Sequence, residues 1–399
     1  IASGISENGV ENTYTWDVDV PSGGDYYLLG TIDDGVSTDE DYSTNQLHVN
    51  MEPQIGSLAA TPDPVVRPES LTLTATGLSD EDGVVSLVKF YRDDGDGVFE
   101  ADADTPIGSD DKSDGGWTWT GSTDGWQVGD HLLLARARDD MGTWSSTAST
   151  SVTVQNAQPQ VGSLGAVPDP VTRPETLTLT AQGVEDADGS IRRVAFYEDQ
   201  DGDGRIDAGN DPLQWEDTQG DDGWTWAPST AGWQLGRHDF VARARDSNGE
   251  WSDVVEAAVS VQNAVPEVTD FSVGPAPVDI GEEIELEAPV SDADGRVSAV
   301  EFYCDTNGDG TGELLGTDND GSGGWTWTDS TVGRSQGTYT YSARAQDNDG
   351  AWSPMSDRQV EANYHLIDSG TVGSSRIAFY DADVSNGRSA PDVAWDRSE

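Results

Sequence analysis

The chain holds a single cysteine, Cys304, among 399 residues. No disulfide can close within it, so the covalent staple common in small secreted domains is excluded. Cys304 reads as incidental, with an intermolecular bridge as the alternative. Basic residues are scarce: 20 Lys and Arg face 75 Asp and Glu, for a formal net charge of -55. Such a field repels nucleic acid and anionic membrane surfaces and attracts divalent cations. No apolar run approaches the roughly 20 residues of a membrane-spanning helix. No useful stretch carries a 3.6-residue apolar period, so helices are not expected. Neither an initiator Met nor a leader stands at Ile1, which reads as a mature, processed or excised segment. Motifs for hydrolysis or phosphate binding are missing too: no Gly-x-Ser-x-Gly elbow, phosphate loop or zinc spacing occurs.

What is present has a period of two. Leu71, Leu73 and Ala75 alternate with Thr, and Val152 and Val154 alternate with polar residues. Leu132, Leu134, Ala135 and Ala137 are interrupted by Arg136. With 34% hydrophobic residues, 46 Gly and 18 Pro, the composition suits several small sandwiches joined by many turns rather than one large core.

The pattern repeats three times. Trp117-Thr118-Trp119 recurs at Trp224-Thr225-Trp226 and Trp325-Thr326-Trp327. Ala135-Arg136-Ala137-Arg138-Asp139 recurs at Ala242–Asp246 and, with Gln346, at Ala343–Asp347. Short Pro-marked joints stand at Gln155–Pro159 and Gln262–Pro266, which favours stiff connections. The expected fold class is all-β: tandem immunoglobulin-like sandwiches of about seven strands each, arranged as a rod. The expected domains are residues 53–157, 158–265 and 266–363. They are flanked by a partial domain at 1–52, with Tyr14-Thr15-Trp16 in the place of the Trp pair. Residues 364–399 are read as strand material, including Arg376–Tyr380, without a partner.

Each repeat follows a Phe-Tyr strand end with an Asp-rich loop. Asp199, Asp201, Asp203, Arg205 and Asp207 take alternate positions, with Gly204 at the sixth. Asp305, Asn307, Asp309, Thr311 and Glu313 do the same around Gly310; Asp93, Asp94, Asp96, Val98 and Glu100 form a copy one residue shorter. Oxygen ligands at positions 1, 3, 5 and 9 with Gly at 6 make a calcium-loop pattern, because alternate side chains turn inward while Gly permits the sharp bend. The expected cofactor is Ca2+. Two further acidic groups recur between strands. Asp80 and Asp82, Asp186 and Asp188, and Asp292 and Asp294 fall in the loop between the second and third strands; Asp139, Asp246 and Asp347 fall in the last hairpin turn. Plain Asp-Gly turns compete with metal binding there. The topology of such a sandwich directs all three acidic groups toward the joints between repeats. A catalytic acid pair should be unique, so triplication argues for structure and against an enzyme.

The Trp-Thr-Trp strand, the Ala-Arg-Ala-Arg-Asp strand with Trp144, Trp251 or Trp352 after it, and the Phe-Tyr-Asp-rich segment resemble the tandem Ig-like repeats of large secreted bacterial surface proteins. These modules are related in architecture to fibronectin III and cadherin-like domains. The resemblance covers residues 53–363 fully and 1–50 partly. The acidic loops separately resemble those of dockerins and EF-hands, except that a strand precedes them and position 12 is Asn210 in the second copy. The resemblance implies a secreted or cell-surface structural or adhesive segment whose partners are itself, as a filament or surface layer, or other surface components. Glycans are the alternative ligand, through surface Trp residues, in an accessory region of a giant enzyme or adhesin. A further alternative is a filament subunit whose partial ends complete one another by strand addition.

Among the remaining features, the Trp pairs read as core, whereas Trp126 and Trp233, replaced by Arg334 in the third copy, read as a variable surface able to stack on sugars. His131 and His238, with Tyr339 in the same place, read as strand-start packing residues. Arg136, Arg243 and Arg344 are expected to lay their stems over the sandwich and meet an acid on a neighbouring strand.

Overall fold

A computed structural model of the chain describes residues 23–33, 35–207, 209–372 and 375–381. It is a chain of strands. The first repeat closes a three-stranded sheet, in which Ser70–Thr76 lies between Ser57–Thr61 and Trp117–Ser122. Opposite it stands a five-stranded sheet running Val65–Val66, Ala148–Gln155, Gly129–Asp139, Val85–Arg92 and Thr105–Asp110. The second and third repeats build the same three-plus-five arrangement. Each is thus an immunoglobulin-like sandwich whose two main sheets hold one short strand more than the sequence suggests, and the third repeat adds a pairing of Glu267–Val268 with Val290–Ser291. In the first repeat that strand is Val65–Val66, which pairs parallel to Val154–Gln155 and ties the start of the repeat to its end.

The period-two positions face inward. Leu71, Leu73, Val88, Phe90, Leu133 and Val154 are fully buried in the first repeat, as are Ile284, Leu286, Val300, Phe302 and Ala343 in the third. Strand propensity and one-sided burial therefore agree: branched and aromatic side chains fill the inner face while Thr and Ser line the outer one.

The Trp pairs pack against these cores. Register explains how. Phe90 lies across from Gly108, Phe302 across from Gly316, and Phe196 across from Trp215. The two glycines leave room for the indoles, since a Cβ on Gly108 would stand 2.1 Å from Trp119 Cδ1 and one on Gly316 2.1 Å from Trp327 Cη2. In the second repeat Trp215 fills the equivalent place and is exposed, while Trp226 packs on Phe196 and Phe240. Replacing Gly316 by Ala is expected to displace Trp327 and cost about 1–3 kcal/mol, as overpacking does. Chemical denaturation of the variant checks this, and a neutral result would show that the indole moves freely.

By packing, the chain divides into two units. One comprises Ile1–Gln160, Glu185–Arg192 and Arg245–Ser252; the other comprises Val161–Val184, Arg193–Ala244 and Asp253–Glu399. The acidic loop tips of the second repeat thus group with the first repeat.

Toward the ends, Gly24–Tyr26 pairs with Leu47–Val49, and Leu29–Asp33 forms a hairpin with Thr38–Tyr42. Tyr14-Thr15-Trp16 lies outside the described residues. The strand around Arg376–Tyr380 does have a partner: Ser375–Asp381 pairs antiparallel with His365–Val372.

Candidate metal sites

The long acidic loops are organised by their first Asp. Asp199 accepts from the backbone N–H groups of Gly202 and Gly204 at 2.8 and 2.9 Å. Asp305 accepts from Gly308 and Gly310, and Asp93 from Gly95 and Gly97. Gly97, Gly204 and Gly310 all take left-handed φ values of 74–85°, which L side chains resist, so Gly is required where the loop doubles back. Asp203 and Asp309, at the fifth position, and Asp96, at the fourth of the shorter copy, then accept the backbone N–H two residues on: Val98 donates to Asp96, Arg205 to Asp203 and Thr311 to Asp309.

Two loops converge. One carboxylate oxygen each from Asp199, Asp201 and Asp203 lies within 4.8 Å of the others, and the same holds for Asp93, Asp94 and Asp104. Asp104 and its counterpart Asp211 are the residues that sequence reasoning missed. Both are buried. Asp104 accepts from the N–H groups of Asp94 and Glu100; Asp211 accepts from those of Gln200 and Asp207. Glu100 and Asp207, expected as ligands, are thereby tied through their backbones to these later acids. Asp104 is the twelfth residue counted from Asp93, so extending the count past the ninth position would have found it. The third loop closes differently. Glu313 folds back to accept from Thr306 N and Asn307 Nδ2 at 2.9 and 2.7 Å, so Asn307 is committed within the loop.

Crowding sets the electrostatics. Burial works against the charge of Asp199, yet the N–H groups of Gly204 and Gly202 outweigh it and hold its carboxyl below the ordinary range. Asp201 is pushed up by desolvation and by the neighbouring charges of Asp203, Asp211 and Asp199. Hydrogen bonds hold Asp309 and Glu313 low, from Thr311 and Thr306 respectively.

The other two acidic groups meet the linker that precedes their own repeat, and they do so three times. Asn50, Asn156 and Asn263 each donate a side-chain N–H to the buried Asp139, Asp246 and Asp347 at 2.6, 2.6 and 2.7 Å. The following backbone N–H groups, of Met51, Ala157 and Ala264, reach Asp82, Asp188 and Asp294 at 3.0, 3.1 and 3.3 Å. The last-turn Asp is more than a turn former, since it anchors the linker. For Asp139, burial opposes the charge, but Asn50 and the backbone N–H groups of residues 141–143 lower its pKa overall. Asp80, Asp186 and Asp292 move the other way, raised first by desolvation and then by the paired Asp two residues on.

An arginine crosses each of the two joints between the three repeats. Arg67 Nε binds Asp188 Oδ2 at 2.8 Å while its other nitrogens reach Trp126 O and Asn156 Oδ1. Arg173 does the same with Asp294, Trp233 O and Asn263 Oδ1, and adds Asp349 at 2.7 Å. Two of the three expected acidic groups therefore sit at the joints. The long loops instead lie against late strands of their own repeat: a cavity beside the second loop is lined by Asp199, Asp201, Arg237, His238 and Asp239.

The expected surface position of Trp126 is corrected. Trp126 is only 7% exposed and belongs to the core, and Trp233 packs on His238 and Phe240. In the third repeat Arg334 occupies that place without a loose charge, paired with Asp329 and donating to Tyr341 Oη. His131 and His238 bridge to the carbonyls of Gln127 and Gln234, and Tyr339 reaches Ser335 O, so all three brace a strand start. Among the mid-strand arginines, Arg344 meets a neighbouring-strand acid, Glu301; Arg136 binds Ser145 O over the Trp144 ring, and Arg243 reaches Tyr197 Oη.

Part of the chain is similar to a known family. Residues 274–343 match a family described as a bacterial Ig domain. Among solved structures, the fibronectin(III)-like modules of Clostridium thermocellum CbhA are 21% identical, cover 50% of this chain and 93% of their own, and give a TM-score of 0.23. The FN1–FN3 domains of chicken CNTN1 are 11% identical, cover 78% and 99%, and give 0.25. No curated protein matches. The chain is a tandem array of Ig-like β-sandwiches. No helix among the described residues is long and apolar enough to cross a membrane.

Proposed function

We propose that this chain is a calcium-stabilised structural segment of a secreted or cell-surface protein, stiff when calcium is bound and looser without it. The observation that carries this is the convergence of Asp93, Asp94 and Asp104, and of Asp199, Asp201 and Asp203, each as three carboxylates with oxygens within 4.8 Å. Like charges at that spacing repel one another. A hard cation taking oxygens at roughly 2.3–2.6 Å turns the repulsion into a crosslink. With no disulfide available, such crosslinks stabilise small sandwiches that bury limited apolar area.

Calorimetric titration with calcium, with magnesium as control, tests it. Calcium-specific heat is expected, and Asp104→Asn combined with Asp201→Asn should remove the greater part of the loop binding. Absence of calcium heat in the unaltered chain would leave a plain Ig-repeat spacer whose acids are surface charge. Self-association through strand donation is less supported, because the tail strand Ser375–Asp381 pairs within the chain.

A further inference from the structure

We infer that each joint between repeats is itself a built cation site, distinct from the long loops, formed by the paired acids Asp186 and Asp188 at one joint and Asp292 and Asp294 at the next. The inference deepens the calcium reading above and rests on it for the identity of the ion.

The observation is a set of orphaned oxygens. The Asp188 side chain is 1% exposed; its Oδ2 is used by Arg67 and Ala157 N, while Oδ1 is buried and meets no donor. Asp294, also 1% exposed, repeats this: Oδ2 is used by Arg173 and Ala264 N, and Oδ1 meets none. Asp186 Oδ2 is buried without a donor, as are both oxygens of its counterpart Asp80 in the first repeat. A buried acceptor left unmet costs about 1–3 kcal/mol, more when charged, and is rare in folded proteins. Recurrence at matching positions argues that something other than protein satisfies them.

Protein donors are already committed. Asp246 and Asp347 have their oxygens filled by linker amides and by the N–H groups of their own turns. Charge points to a cation rather than to water alone. At the first joint Asp188 pairs with the Arg67 guanidinium while the charges of Asp188 and Asp246 act on Asp186; at the second, Asp294 and Asp349 pair with Arg173 while the charges of Asp294 and Asp347 act on Asp292. Among these side chains each joint keeps an excess of at least two negative charges. A hard divalent ion matches that excess and the all-oxygen donor set. Because Asn156 and Ala157 belong to one repeat's linker and Asp186, Asp188 and Asp246 to the next repeat, an ion there joins neighbours directly. The guanidinium acts beside it as a permanent internal cation.

The test uses the full chain with its loops silenced at exposed positions, by Asp94→Asn, Asp96→Asn, Asp201→Asn, Asp203→Asn and Asp309→Asn. Calcium titration calorimetry and terbium luminescence sensitised by Trp, displaced by calcium, are the readouts. The loop-silenced chain is expected to keep calcium-displaceable terbium, and adding Asp186→Asn and Asp292→Asn should abolish it. Should the added pair disturb folding, Asp188→Asn alone, checked by circular dichroism, serves in its place and should remove the signal of one joint. A loop-silenced chain that binds neither ion overturns the joint sites while leaving loop binding in the unaltered chain intact. Joint-acid substitutions that fold and leave binding unchanged overturn them as well. Conversely, loop silencing that changes nothing, with binding lost only at the joints, sustains the joint sites and removes the loop sites.

Discussion

Moving from chelator to calcium at about 100 times the dissociation constant raises the thermal unfolding midpoint by roughly 10–20 °C. This follows because one ion per domain then adds ~2.7 kcal/mol and each kcal/mol moves a 60–100-residue domain by about 4–8 °C. Magnesium at equal concentration gives a much smaller shift, because its tighter octahedral shell and reluctant dehydration suit loops of crowded, adjustable carboxylates poorly. The physical origin is the metal-free state. Asp201 in the loop, and Asp80, Asp186 and Asp292 at the joints, are held above their ordinary carboxyl range by desolvation, with neighbouring acids adding to it. At neutral pH their ionisation weakens the fold, and an ion relieves that cost in the folded state alone. Differential scanning calorimetry in both buffers measures the effect. Coincident transitions would mean that the acids act as surface charge.

How much of this could be read from the sequence depends on the range of the interaction. Leu71, Leu73 and Phe90 were legible as core because alternation is local and each sandwich buries one face of every strand. The first-position Asp and sixth-position Gly were legible because ligand spacing is local too. Asp104 and Asp211 were not, since each closes its loop only after a turn that a short motif does not span. Trp126 was misjudged because a change of residue type was taken to mean exposure. A buried position can change its chemistry when its surroundings change with it: Arg334 is accepted in the third core because Asp329 neutralises it and Tyr341 stands where Leu133 and Phe240 stand in the other copies. The orphaned oxygens at the joints were beyond reach, because metal-binding acids and plain Asp-Gly turns read alike until the preceding linker was seen against them.

The arginine of the joint was hidden for the same reason and carries the second large expected effect. Arg67 and Arg173 sit in Arg-Pro turns whose acidic partners, Asp188 and Asp294, lie 121 residues further on. Arg173→Met is expected to destabilise the metal-free chain by about 3–5 kcal/mol, the usual consequence of removing one partner of a buried ion pair. The loss exceeds that of a surface pair because Asp294 is 1% exposed and keeps its charge with no solvent to accept it, while Trp233 O loses its donor. The double variant Arg173→Met with Asp294→Asn should recover much of this, since the uncompensated charge disappears with its partner. Urea denaturation of the single and double variants, in chelator and in calcium, measures all four states. An ion at the joint predicts that the single variant's loss is smaller in calcium, where a second cation faces Asp294; equal losses in both buffers would leave the guanidinium as the sole cation there. The third repeat supplies a natural counterpart: two residues past the parallel-pairing valine, where Arg67 and Arg173 stand, it has Ile280, which is buried in its own core. At the start of the strand that follows, His365 Nδ1 lies 2.7 Å from Asp279 Oδ2, an exposed contact unlike the buried arginine pairs of the two joints before it, and one that removing either arginine leaves in place.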